Sequence, residues 1–277
     1  MKTLKRLGLT YNKIADISNS LINEQKQLEV FALGGNQISV ISADLFDGIN
    51  SLTEVYLWEN KISSLPENLL SDQSNLKIFQ VNRNSIEAIP ENLFKGLISL
   101  IKIDLGENLI NKIPNDAFLG LDNLESFGAC DNKIPTLPTN IFRNLTKLNF
   151  LSLCNNQITS LSAEDLETNL LLKELYLTGN KLKEVPVSIL RKLTNLESLT
   201  LRGNLIEKIP MNAFYKLKNL KLLGLRNNVI STIEDDAFFG LNSLTALDIG
   251  GNKIQTFSRG ATGLDAKVVV DGMTVTN

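Results

Sequence analysis

The chain has 277 residues, 28 Lys+Arg against 30 Asp+Glu, no histidine, two cysteines and one tryptophan. A net charge of −2 excludes a polyphosphate or an anionic membrane as the obvious partner. The missing histidine removes imidazole catalysis and His-ligated zinc, and two cysteines are too few for a disulfide-dense scaffold or a four-thiolate metal site. No apolar run approaches the roughly 20 residues of a membrane span, and Met1-Lys2-Thr3-Leu4 opens no signal peptide.

Elements are best assigned after internal repeats are sought. Leucine recurs at 4, 28, 52, 76, 100, 124, 148, 172, 196, 220 and 244, eleven times at a spacing of 24. Asparagine recurs at the same spacing from 12 to 252. With the leucine as position one, positions four, six, eleven and fourteen are apolar in every copy, as in Leu151, Leu153, Ile158 and Leu161. The unit reads L-x-x-L-x-L-x-x-N-x-I-x-x-I-P-x-x-x-F-x-x-L-x-x. Alternating apolar residues at four and six predict a short strand with one face buried. Equal units stacked in register predict a parallel sheet with strands about 4.8 Å apart.

The asparagine at position nine falls where the strand turns, and its amide can both donate to and accept from backbone groups of that turn. Six of the seven prolines, Pro66, Pro90, Pro114, Pro138, Pro186 and Pro210, stand at position fifteen and suit a turn into the next segment. Phe46, Phe94, Phe118, Phe142, Phe214 and Phe238 share position nineteen and predict an aromatic core column. Beyond Phe257 the pattern stops. Lys267–Val270 and Met273–Thr276 flank Asp271-Gly272, which predicts a β-hairpin covering the last sheet edge; a free tail is the alternative. This gives a solenoid over 1–257 and a C-terminal cap over 258–277.

The repeat resembles the leucine-rich repeat family in its 24-residue typical class, here with eleven copies and without cysteine-rich caps. The resemblance implies an α/β repeat solenoid: a right-handed horseshoe with a parallel concave β-sheet and short irregular, 3-10 or helical convex segments. It also implies a non-enzymatic module that binds a protein on the concave face, needs no cofactor or metal, binds no nucleic acid and works as a monomer.

Concave side chains come from positions three, five, seven and eight. There Tyr56 and Trp58, Gln80, Asn82 and Arg83, then Asp104 and Glu107, form a cluster with the composition of an interface hot spot. Packing of Trp58 on Gly34 or Asn82 is the plainer reading. Phe150 and Tyr176 are further concave aromatics, and Arg202 and Arg226 make a small basic spot. Small residues at Gly128, Ala129, Cys130 and Ser152 either form a recess or merely vary a flat sheet. Cys130 and Cys154 share position seven, about 5 Å apart by stacking. Because parallel strands point them the same way, free thiols are expected. The sequon Asn144-Leu145-Thr146 lies on the convex side.

Two settings fit: a secreted or extracellular recognition protein, receptor-like, or a delivered bacterial effector acting in host cytoplasm. An enzyme using Asp104, Glu107 and Asp131 is a minor alternative.

Overall fold

In the computed structural model, residues 4–265 and 267–271 are described. The chain is a solenoid of stacked coils, each contributing one short strand to a parallel sheet. It divides into two compact units, one running to Ile134 and including Asn144–Leu148, the other comprising Pro135–Arg143 and the chain from Asn149.

In the first unit the strands are Arg6–Gly8, Val30–Ala32, Glu54–Tyr56, Ile78–Gln80, Lys102–Asp104 and Ser126–Gly128. They pair in parallel with a register of 24, so Leu7, Phe31, Val55, Phe79, Ile103 and Phe127 stand side by side. These are the position-four residues; Phe31, Val55, Phe79, Ile103 and Phe127 are fully buried, while their strand neighbours alternate outward. Three of them meet the position-nineteen column across the coil: Phe31 with Phe46 at 5.2 Å, Phe79 with Phe94 at 6.0 Å and Phe127 with Phe118 at 4.8 Å between ring centroids. Edge-on packing of this kind suits the ring quadrupoles.

The second unit holds Phe150–Ser152, Glu174–Tyr176, Ser198–Thr200, Leu222–Gly224 and Ala246–Asp248 in the same parallel register, with Val269–Asp271 added at the end. That last strand pairs Leu247 with Val270, a spacing of 23 rather than 24, and sets Asp271 beside Asp248. A second, two-stranded parallel sheet joins Lys208–Ile209 to Thr232–Ile233 away from the main one. Helices are short: a 3-10 turn at Asn19–Leu21 and single α-turns at Val187–Leu190 and Arg259–Thr262.

The fixed polar residues act as their positions predict. Asn108 is buried; its Nδ2 donates to the carbonyls of Leu105 at 3.0 Å, Gly106 at 3.1 Å and Val81 of the preceding coil at 3.1 Å. Its Oδ1 accepts from the Ile86 N–H at 3.0 Å. The same pattern recurs at Asn60, Asn84 and Asn132, and at Asn180, Asn204 and Asn228. At every proline of position fifteen the carbonyl accepts the N–H three residues on, opening the turn. The six phenylalanines of position nineteen are at most 1% exposed.

One column was not anticipated. All eleven residues at position eight, from Tyr11 to Gly251, have φ between 51° and 69°. This left-handed geometry costs a residue with a Cβ about 1–2 kcal/mol, least for Asn and Asp. A second departure is Gln73, buried at position twenty-two where most coils carry Leu or Ile; its Oε1 has no hydrogen-bond partner.

At the carboxyl end, Ser258 caps Arg259–Thr262 and Gly263 ends it at φ 69°. Phe257, Thr262, Leu264 and Val268 are buried there, and the Arg259 guanidinium donates to the Asp265 and Val268 carbonyls, both at 2.8 Å. Val269–Asp271 thus extends the sheet in parallel; the other arm of the expected hairpin, Met273–Thr276, lies outside the described residues.

Cys130 and Cys154 correct a sequence expectation. Both are disulfide-bonded rather than free thiols. Each lies two residues beyond the end of its own strand, where the pleat no longer fixes the direction of Cβ.

Candidate recognition surface

The outward face of the sheet is set by strand alternation, which turns positions three and five away from the core. The predicted residues fall into two groups, one in each unit.

In the first unit, Tyr56, Gln80 and Asp104 are consecutive partners across three strands. Tyr56 is half-buried, and its hydroxyl donates to Glu54 Oε2 at 3.0 Å. Burial first, then that hydrogen bond and the carboxylate charge, push the phenol up to about 12. The Asp104 carboxyl is raised by burial, although its Oδ1 accepts the Gly106 N–H at 3.0 Å. It sits between Gly106 and Gly128, 3.3 Å from where a Cβ on either would stand.

Trp58 is half-buried with its ring laid on the Gly34 backbone; a Cβ at Gly34 would overlap the indole. Tyr11 meets it edge-on, ring centroids 5.3 Å apart. The plainer reading of Trp58, packing on Gly34, describes its underside, while part of the ring remains exposed. Asn82 is half-buried on the next coil. Arg83 and Glu107, both exposed, are joined by an Nε–Oε1 contact of 2.8 Å, and Glu59 lies 3.9 Å from Arg83 on the other side. All three charged residues occupy the left-handed position eight.

In the second unit, Phe150 and Tyr176 meet edge-on at 5.6 Å. Tyr176 repeats the arrangement of Tyr56: its hydroxyl donates to Glu174 Oε2 at 2.6 Å, and burial followed by that bond raises the phenol. Arg202 and Arg226 are not a bare basic spot. Arg202 Nη2 donates to Asp248, and Arg226 Nη1 lies 3.7 Å from the same carboxylate and 3.9 Å from Asp271.

Sequence reasoning passed over Tyr11, Glu59, Glu54, Glu174 and Asp248. The Glu-x-Tyr spacing of 54–56 and 174–176 was a readable signal for the glutamates, since residues two apart share a strand face. Among the described residues no group of acidic, Cys or His side chains could hold a metal ion. No helix there is long and apolar enough to cross a membrane.

The leucine rich repeat family matches residues 2–62, 50–100, 74–134, 127–182, 170–230 and 194–254. The chain belongs to the leucine-rich repeat family. No curated protein sequence matches it. Among solved structures, a leucine-rich repeat protein of Leptospira interrogans is 28% identical, with a TM-score of 0.86 over 98% of this chain and 67% of that one. An internalin of Listeria monocytogenes is 23% identical, TM-score 0.70, over 98% of this chain and 87% of its own. A chain of the LRIM1/APL1C complex is 19% identical, TM-score 0.71, over 99% and 53% respectively. The last two show likeness of fold alone. Leucine-rich repeats are protein-binding modules as a class, and family members are typically not enzymes.

Proposed function

We propose that this protein is a non-enzymatic recognition module that binds a protein partner on the outward face of its sheet. The observation that carries this reading is the pair of half-exposed tyrosines, Tyr56 and Tyr176, each pinned by a glutamate two residues earlier. An aromatic ring held in one orientation loses little entropy on docking, and tyrosines of this kind supply much of an interface's affinity. Trp58, fixed on Gly34 and Tyr11, adds a third anchor. The partner-binding set is Tyr56, Trp58, Gln80, Asn82, Arg83, Asp104 and Glu107 in one unit and Phe150, Tyr176, Arg202 and Arg226 in the other, with residues 258–277 acting as a cap.

The test is capture of a stoichiometric protein partner from host or tissue lysate, compared with the Tyr56→Ala, Trp58→Ala double variant. That variant should lose at least about tenfold in affinity while keeping the native circular dichroism spectrum. Equal affinity would sink the site assignment, and turnover of a small molecule with no protein partner would sink the module reading.

One observation favours a secreted recognition protein over an effector working in host cytoplasm. Both cysteines are disulfide-bonded, a state that persists in oxidising compartments.

A further inference from the structure

The outward face of the second unit carries a groove of about 360 Å³ between Tyr176 and Asp248. Its floor is low because Gly224 stands on a middle strand and Ala246 on the strand of Asp248, and Leu222 opens into it with half its surface exposed. A volume of this size lies at the lower end of the range for ligand pockets and suits one or two side chains better than a folded element.

Arg202 lines the groove, Arg226 of the next coil lies just beyond it, 3.7 Å from the lining residue Asp248, and the two are held very differently. Arg202 is locked: it donates to Asp248 and lies along Gly224, where a Cβ would come within 3.1 Å of its Nε and 3.0 Å of Thr200 Oγ1. Asp248 is itself buried, so the carboxylate end of this pair is fixed in the wall while the Arg202 side chain is half exposed. Arg226 is poised rather than engaged. Its contacts to Asp248 and Asp271, at 3.7 and 3.9 Å, both exceed hydrogen-bond length, although its side chain is about as exposed as that of Arg202. Among the described residues its guanidinium makes no hydrogen bond, which leaves a planar fork of donors beside Asp248, next to the groove.

A planar guanidinium with open donors matches a carboxylate or a phosphate. Charge decides between them. Asp248 and Asp271 together offset the two arginines, and Glu174 lies on the same face beside Tyr176. A dianion entering here meets three carboxylates, whereas a monoanion can displace the long contacts of Arg226 with one short bidentate pair.

We propose that this groove is a carboxylate-recognition subsite. Arg226, buttressed by the Arg202–Asp248 pair, takes the side-chain carboxylate of an Asp or Glu in an extended segment of the protein partner. An apolar side chain next to that acid lies on Leu222 and Tyr176. The subsite rests on the protein-recognition reading and gives it a chemical signature.

The probe is a set of fluorescein-labelled nonapeptides of Ala and Leu with a central Asp, Glu, Asn, Gln or phosphoserine, read by fluorescence anisotropy against the intact protein. Asp and Glu peptides should bind at least about tenfold more tightly than their amide counterparts, as expected for one charge-assisted pair. Arg226→Ala should erase that preference, Arg226→Lys should retain part of it, and Lys181→Ala, outside the groove, should leave it intact. Asp248→Asn, which removes the carboxylate competing for Arg226 and frees Arg202, should strengthen the preference. Equal binding of acid and amide peptides, or an Arg226→Ala variant that keeps the preference, would overturn the subsite. Tighter binding of the phosphoserine peptide than of the Glu peptide would overturn the carboxylate assignment. None of these results touches capture of the partner through Tyr56 and Trp58, so failure here is separable from failure of the module reading.

Discussion

Asn108 offers a sharp test of what holds consecutive coils together, because Asn12 occupies the same repeat position with fewer bonds. Replacing Asn108 by Ala leaves the Ile86 N–H, buried between coils, without its acceptor, and strips a donor from the carbonyls of Leu105, Gly106 and Val81. An unsatisfied buried backbone group costs about 1–3 kcal/mol. With one N–H fully orphaned and three carbonyls partly compensated by other donors, the loss should be about 3–4 kcal/mol. Asn12 is exposed and donates only within its own turn, to Leu9 at 3.1 Å and Thr10 at 3.2 Å. Its replacement by Ala should cost below about 1 kcal/mol, since water reaches the freed groups. Urea unfolding followed by circular dichroism reads the global effect, and hydrogen exchange at the Ile86 amide reads the local one, which matters where unfolding departs from two states. A similar cost at both positions, or an Ile86 amide protected as before, would refute the idea that the asparagine column joins one coil to the next.

Four further outcomes follow. Gln73→Leu replaces a buried amide whose Oε1 has no partner and should stabilise the protein by about 1–2 kcal/mol in the same assay; no change would mean the amide is satisfied in solution. Glu59→Gly removes the left-handed penalty at φ 54° and forfeits only a 3.9 Å exposed ion contact, so stability should rise by roughly 0.5–1 kcal/mol. Gly34→Ala should lift the indole of the single tryptophan off the backbone, seen as a red shift in fluorescence; an unchanged spectrum would argue against the stacking. Tyr56 keeps its proton in the folded state up to about pH 12, so folding loses stability as pH rises from 10 through 12. Glu54→Gln should narrow that window without closing it, because burial is the larger cause, as ultraviolet tyrosinate titration would show.

Much of the frame was legible because it is written eleven times. The phenylalanines of position nineteen, the asparagines of position nine and the prolines of position fifteen each follow from one physical requirement met in one coil and copied. What escaped were features that involve the exceptions. The left-handed φ of position eight is hidden because Tyr11, Glu59, Arg83 and Glu107 occupy it as well as Gly and Asn. The geometry recurs in all eleven coils, so it belongs to the turn of the frame and not to any one side chain. Arg202 and Arg226 read as a basic pair until Asp248, a residue of a different repeat position, is seen to share them. The cysteines were misjudged for a related reason: spacing gave their distance, but the direction of a side chain just past a strand end is not periodic.

The asparagine column also bears on how such a protein can change length. Each amide serves the coil before it, so removing the 24 residues from Leu76 to Ser99 would hand Ile62, now bonded to Asn84, to Asn108 without altering the geometry asked of either. The frame is indifferent to how many coils it holds. A lineage can therefore add or drop a whole strip of the sheet's outward face in one genetic step, recombining coils rather than reworking a core.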